Sequence, residues 1–295
     1  MTAQEFLKIW DTLPASTASH ALAARFLPAF ENIPLDRAAL EGLELHLESL
    51  PEDRRHALLE GLGGWRNAAA QILGEESPIP SLLTEDLALD FLLGLKMSQT
   101  EAHVPSSVGR SRGAAVESAL GDASWSGSGT LSRSSLNTPY RELFELLEKL
   151  NLQPDAHVVD LGSGYGRMGF VLAFCLPEVR FTGYEIVSQR VQESQRVAKL
   201  HGVDPERVRF ECRDLADPTH APEDADLYFL YDPFNRDTLV KVMRDLQAAT
   251  RRRTIRIASR GKTGELQDYL AQTHWLRREG WIQTRHAPIW IHRSV

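Results

Sequence analysis

"VVDLGSGYGRMGFVLAF", residues 158–174, places one acid and four glycines between two apolar runs. The first run, rich in β-branched residues, reads as a strand, and the second as the start of a helix. Between them Gly162, Gly164, Gly166 and Gly169 let the backbone turn sharply and come close to a bound molecule, because they carry no Cβ. A strand, a glycine-rich turn and a helix in this order form a cradle for a nucleotide-like ligand. The glycines can be read in two registers, and each implies a different ligand.

Outward from this stretch the pattern alternates strand and helix. "TPYRELFELLEKLNLQP" opens with Thr138 as N-cap and Pro139 at the first helical position, and Leu143, Leu146, Leu147 and Leu150 make its apolar face. "HVVDLG" reads as a strand, and "RMGFVLAFC" as a helix ending before Pro177. "RFTGYEIV" is a strand, followed by a helix that Ser188 caps and Gly202 closes. "RVRFECRD", "DLYFLYDP" and "TIRIAS" are further strands, with the helix "RDTLVKVMRDLQAAT" before the last. Such alternation predicts a parallel sheet covered on both faces. "GWIQTRHAPIWIHRS" breaks the pattern, because it reads as two adjacent strands and so as an antiparallel pair at the sheet edge.

Upstream, residues 1–97 read as an all-helical region. Leu35, Ala39, Leu43, Leu47 and Leu50 fall at helical spacing, Pro51 breaks the run, and "GLGG" at 61–64 separates it from a stripe of Trp65, Ala69 and Ile72. "EDLALDFLLGLKM" is apolar on nearly every side and predicts a buried helix. Residues 98–137 are rich in Ser and Gly, which predicts a linker, or a lid in which Trp125 and Leu131 have a purpose. Residues 138–295 then hold the alternating domain.

The net charge is -7, and residues 1–97 hold 7 Lys and Arg against 15 Asp and Glu. A basic field that would bind nucleic acid nonspecifically is therefore missing, and the acidic helical region invites a basic protein partner. Cys175 and Cys212 read as small core residues, and the ten histidines show no metal-ligand spacing. The start of the chain has no basic, apolar leader and no run is long enough to span a bilayer, so a soluble cytoplasmic protein is expected.

In one register Gly164, Gly166 and Gly169 spell G-x-G-x-x-G, the dinucleotide fingerprint, and Glu185 follows Gly164 at about the spacing of a ribose-binding acid. That register implies a nicotinamide-dependent oxidoreductase. In the other, Asp160 closes the strand and Gly162, Gly164 and Gly166 follow as D-x-G-x-G-x-G, the turn typical of S-adenosylmethionine enzymes. A carboxylate at Asp160 repels a pyrophosphate and attracts an ammonium group. A strand begun at Val158 should also turn near Gly162. Finally, Asp160, Glu185, Asp214 and Asp232 all end strands, so a parallel sheet brings them to one crevice. These three points favour the second register.

"DLGSGYG", "GYEI", "CRD" and "YDPF" together resemble the successive motifs of class I S-adenosylmethionine-dependent methyltransferases, over roughly residues 138–295. Within that superfamily the chain is similar to the histone lysine methyltransferases of the disruptor-of-telomeric-silencing type, and to bacterial relatives with a Y-[ND]-P-F motif. The resemblance implies a Rossmann-like, mostly parallel seven-stranded α/β sheet with an antiparallel edge strand. It also implies S-adenosylmethionine as methyl donor. Asp160, Gly162, Gly164 and Gly166 would line its methionine and ribose parts, and Glu185 would accept from the ribose hydroxyls. Ile186 would pack on the adenine, while Asp214, with Leu215 beside it, would accept from the adenine amino group. Asp232 and Phe234 would face the methyl acceptor, and Tyr140 would reach over the donor. Arg167 would pair with Asp160 or Asp232. The lack of a second proline after Pro233 departs from the pattern of amino-methyltransferases, so the acceptor, on a protein or a small molecule, is only weakly read as a nitrogen. A methyltransferase-like scaffold without catalysis stands as a further alternative.

Overall fold

The computed structural model of the chain describes residue 26 and residues 37–75, 77, 82–104, 137–261, 265–284 and 287–295. Residues 105–136, which include Trp125 and Leu131 and most of the expected linker or lid, lie outside the described residues. The chain divides into two compact units, Met1–Ala102 with Pro139–Arg141, and His103–Thr138 with Glu142–Val295.

Helix α1 (Arg37–Ser49) buries Leu43 and Leu47 one turn apart, and Leu50 just beyond its end. Helices α2 (Glu52–Gly61) and α3 (Trp65–Leu73) are joined by Gly63 and Gly64 at φ +76° and +89°, a conformation that a side chain would oppose. Trp65, Ala68, Ala69 and Ile72 form the buried side of α3. Helix α4 (Leu82–Leu93) is buried along nearly its whole described length, as its apolar sequence predicts. Helix α5 (Met97–Glu101) begins where the Glu48 carboxylate accepts from the amides of Ser98 and Gln99, at 2.7 and 3.0 Å.

The acids within α4 have internal work. Asp86 accepts from the Tyr140 amide at 2.9 Å, Asp90 accepts from the Tyr140 hydroxyl at 2.7 Å, and Glu85 holds Arg141 through both oxygens. Helix α6 (Tyr140–Leu150) therefore starts one residue after Pro139, and its first amide is capped by Asp86 rather than by Thr138. Glu48, Glu85, Asp86 and Asp90 are all buried, so the charge of the N-terminal third overstates what its surface presents.

In the second unit seven strands form one sheet in the order β3-β2-β1-β4-β5-β7-β6. They are β1 (His157–Leu161), β2 (Arg180–Glu185), β3 (Val208–Cys212), β4 (Leu227–Tyr231), β5 (Arg256–Arg260), β6 (Leu276–Ile282) and β7 (Ile289–Ser294). The pairings from β3 through β5 are parallel, and β7 runs against both β5 and β6. Helices α7 (Arg167–Cys175), α8 (Ser188–Leu200), α9 (Arg236–Ala249) and α10 (Glu265–Ala271) connect them. On one face Val159, Leu161, Tyr228 and Leu230 pack with Leu239, Val242, Met243 and Leu246 of α9. Elsewhere in the core Phe210 lies 5.3 Å from Phe170 and 5.7 Å from Phe181, ring centre to ring centre.

Two local expectations change. Ser188 is the first residue of α8 rather than its cap, because the Val187 amide is taken by the Glu185 carboxylate at 2.9 Å. Cys175 is half-buried and Cys212 exposed, so neither is a core residue. Among the described residues, no helix is long and apolar enough to cross a membrane.

His157 opens β1 as a buried, neutral ring, with Nδ1 3.1 Å from the Asp224 carbonyl and Nε2 3.0 Å from Thr182 Oγ1. Burial holds its pKa below the usual 6.5, so its contribution to stability is present above that pH and fades as acid charges the unfolded chain first. The stability gap between wild type and His157→Gln, read from urea unfolding, should therefore be widest above pH 6.5 and shrink as the pH falls. A gap constant with pH would refute this.

Candidate functional site at the carboxyl edge of the sheet

Strand β1 ends at Leu161 and the turn begins at once. Gly162, Gly164 and Gly166 have φ of +107°, +55° and +78°. The amides of Gly162 and Ser163 both donate to the Tyr184 carbonyl at 2.9 Å, which pins the turn to the end of β2. Each of these glycines also leaves space that another group uses. A Cβ would lie 2.5 Å from Pro233 Cβ at Gly162, 2.8 Å from Asn137 Oδ1 at Gly164 and 2.2 Å from Phe210 Cε1 at Gly166.

Glu185, the last residue of β2, is 2% exposed, and its carboxylate accepts from the Gly164 amide at 3.1 Å and the Val187 amide at 2.9 Å. Both acceptor oxygens are thus fixed before any ligand arrives. Asp160 is 5% exposed and differs sharply, because among the described residues its carboxyl has no hydrogen-bond partner. Burial, and then the neighbouring charge of Glu185, push its pKa up to about 8. Near neutrality the Asp160 carboxyl therefore holds its proton.

Asp160 and Gly162 line a cavity with Asn137, Thr138, Arg167 and Tyr231. Arg167, expected against Asp160 or Asp232, is buried and donates to the Thr138 carbonyl at 3.3 Å. Asp214 follows β3 by two residues on the same sheet edge, and there it is exposed. One of its oxygens accepts from the Ala216 amide at 2.9 Å, while Leu215 is buried in the core. Ile186 is half-buried beside Glu185.

"YDPFN" is a strand end, a bend and a cap. Asp232 takes φ +42°, a conformation that costs a non-glycine residue energy and is held by its surroundings. Pro233 rests against Gly162, Phe234 packs on the core, and Asn235 Oδ1 caps α9 by accepting from the Thr238 amide at 3.0 Å. The second acid and the glycine turn are thus in contact through one proline.

Tyr140 belongs to the other compact unit. Its ring is fully buried 5.6 Å from that of Trp65, and its hydroxyl is spent on Asp90. The structure adds two residues that sequence reasoning passed over. Arg260, at the end of β5, is 1% exposed and ion-paired with buried Glu142 of α6, and its guanidinium carbon lies 4.7 Å from the Tyr231 ring centre. Desolvation raises the Glu142 pKa and the Arg260 charge opposes that rise. An arginine closing an apolar strand, "TIRIASR", was the available signal.

Gly166→Ala should lower stability by roughly 2 kcal/mol or more in urea unfolding, since it meets both the left-handed φ and Phe210. Gly202→Ala shares a positive φ, +63°, but meets no atom within 4 Å, and should cost about 1 kcal/mol. Equal losses would mean that the ring contact is unimportant.

A family model described as a methyltransferase domain matches residues 152–273, from the residues before β1 through α10. No curated protein matches the chain. Similar solved structures include TrmN from Thermus thermophilus, at 14% identity over 54% of this chain and 49% of that one, with a TM-score of 0.45. The chain thus spans about half the length of that relative. Magnesium protoporphyrin IX methyltransferase from Synechocystis, with bound SAM, is 15% identical over 62% and 96% of the two chains, with a TM-score of 0.43. A methyltransferase from Geobacter sulfurreducens is 17% identical over 65% and 97%, with a TM-score of 0.41. The matched span holds the glycine turn, Asp160, Glu185, Asp214 and Asp232, on a Rossmann-like, mostly parallel seven-stranded sheet.

Proposed function

We propose that the protein is an S-adenosylmethionine-dependent methyltransferase, with the donor at the carboxyl edge of β1, β2 and β3. The observation that carries this reading is the pair of acids at the glycine turn. Glu185 is braced by two amides, and Asp160 is buried without a partner beside a cavity. A dinucleotide's pyrophosphate at this turn would meet both acids, whereas an amino-acid ammonium is suited to them. The methyltransferase-domain match over residues 152–273 supports the same reading.

The donor supplies an activated methyl group on a sulfonium sulfur. The protein's part is then to bind, align and exclude water, with no strong base required for an in-line displacement. Glycines 162, 164 and 166 let the backbone approach the donor, and Glu185 offers its oxygens to the ribose. Ile186 covers the adenine, and Asp214, through the oxygen not used by Ala216, accepts from its amino group. On the other side Asp232, aimed by its strained backbone, and half-buried Phe234 hold the acceptor. We read that acceptor as a nitrogen, on a protein or a small molecule, and the helical N-terminal region as part of its selection. The remaining surface acids of that region suit a basic protein partner. The quoted motifs support a reading close to the disruptor-of-telomeric-silencing type and the bacterial Y-[ND]-P-F group, and we read the protein as cytoplasmic.

Calorimetric titration of the full chain should show saturable binding of S-adenosylhomocysteine and none of NAD. Glu185→Ala should weaken that binding by about a hundredfold, the scale of losing two charge-assisted hydrogen bonds. Asp232→Ala should leave it within about twofold, since that side chain serves the acceptor. Binding of NAD alone would overturn the reading.

A further inference from the structure

The two carboxyls at the glycine turn are unequal for a geometric reason. Glu185 accepts from two backbone amides, which stabilise its charge. Asp160 is equally buried, lines the cavity and has no donor among the described residues. Among the described residues, none of the groups facing it hydrogen-bonds to its carboxyl. From β2 comes Glu185, which only adds to the rise of the Asp160 pKa, and β4 contributes Tyr231, whose hydroxyl burial keeps neutral. From α7 comes Arg167, which lines the same cavity and whose guanidinium donates to the Thr138 carbonyl. Asn137, Thr138 and Leu143 are uncharged, and Arg260 of β5 is committed to Glu142.

Resting on the methyltransferase reading, we propose that Asp160 carries a proton in the unliganded protein and releases it when the donor's ammonium group binds, so that donor affinity is linked to pH by one proton. The exchange balances: the carboxylic acid gives its proton to solvent, and the carboxylate left behind pairs with the incoming ammonium. The ligand brings the carboxyl the hydrogen-bond donor that it lacks among the described residues. Desolvation by burial, with Glu185 second, is the cause that keeps the proton in place near neutrality.

The sign of the stability effect follows. A carboxyl whose pKa is raised on folding from 3.8 to about 8 favours the folded state at low pH and opposes it increasingly as pH rises through that window. Asp160→Asn, which cannot ionise, should therefore be more stable than wild type without ligand, by a margin that grows from pH 4 to 8.

The deciding experiment is calorimetric titration of the full chain with S-adenosylhomocysteine between about pH 6 and 7.5, where an α-amino group stays protonated, in buffers of different ionisation enthalpy. We expect affinity to rise about tenfold per pH unit with nearly one proton released per ligand bound. Asp160→Asn should bind more weakly, with a flat profile and no proton release. Binding by wild type that is flat in pH and releases no proton overturns the proposal and leaves the methyltransferase reading standing. Absence of binding at every pH removes that reading and the proposal with it. If Asp160→Asn fails to fold, the wild-type proton count decides alone.

Discussion

The end of β2 holds the turn after β1, and the rest of the site depends on that. One carbonyl, of Tyr184, accepts from two successive amides of the turn, and the next residue's carboxylate accepts from a third. Parallel pairing of β1 with β2 sets the register, with Asp160 opposite Gly183 and Leu161 opposite Tyr184. The turn can accept this tether only because three of its residues tolerate positive φ. The same carboxylate takes the Val187 amide at the entry to α8, so a single acid braces the turn and the following helix.

The acids of the chain divide by what surrounds them. Glu85, Asp86 and Asp90 of α4 are buried yet satisfied, each by the first residues of α6. Glu142 is buried and paired with Arg260. Asp160 is buried and unmatched among the described residues, and a shift from 3.8 to about 8 corresponds to a cost of ionisation of roughly 6 kcal/mol. A fold usually places unmatched charge at the surface. Retaining it at the end of a central strand is the kind of local conflict that functional sites tolerate.

Much of this was legible before any coordinates. The turn after β1, the alternation of strands and helices and the acids at the strand ends depend on local signals: glycine spacing, apolar runs and the rule that parallel strands share one carboxyl edge. What escaped depends on contacts distant in sequence. Tyr140 looked available because "EDLALD" reads as an apolar helix, and nothing local tells that Asp86 and Asp90 point at a residue 50 or more positions on. The Glu142–Arg260 pair joins positions 118 apart. Ser188 is a good cap by type and lost the role to Val187, whose amide a neighbouring carboxylate had already engaged. The fold and the strand-end acids were therefore readable, while the contacts of Tyr140, Glu142 and Arg260 were set by tertiary packing.

The motif after β4 shows how the ends of β1 and β4 are coupled. Asp232 takes φ +42° directly before Pro233, and Pro233 occupies the space that Gly162 leaves by having no side chain. Any Cβ at position 162 would displace the proline, and with it the bend that aims Asp232 and the cap that Asn235 gives α9. The absence of one methyl group thus serves a sharp turn on one strand and a strained acid on the next. Such contacts are stiff, because interiors packed to solid density do not deform gradually. The separation between Asp160 and Asp232 is accordingly a property of the fold, fixed where β1 meets β4 at the point of reversal in strand order.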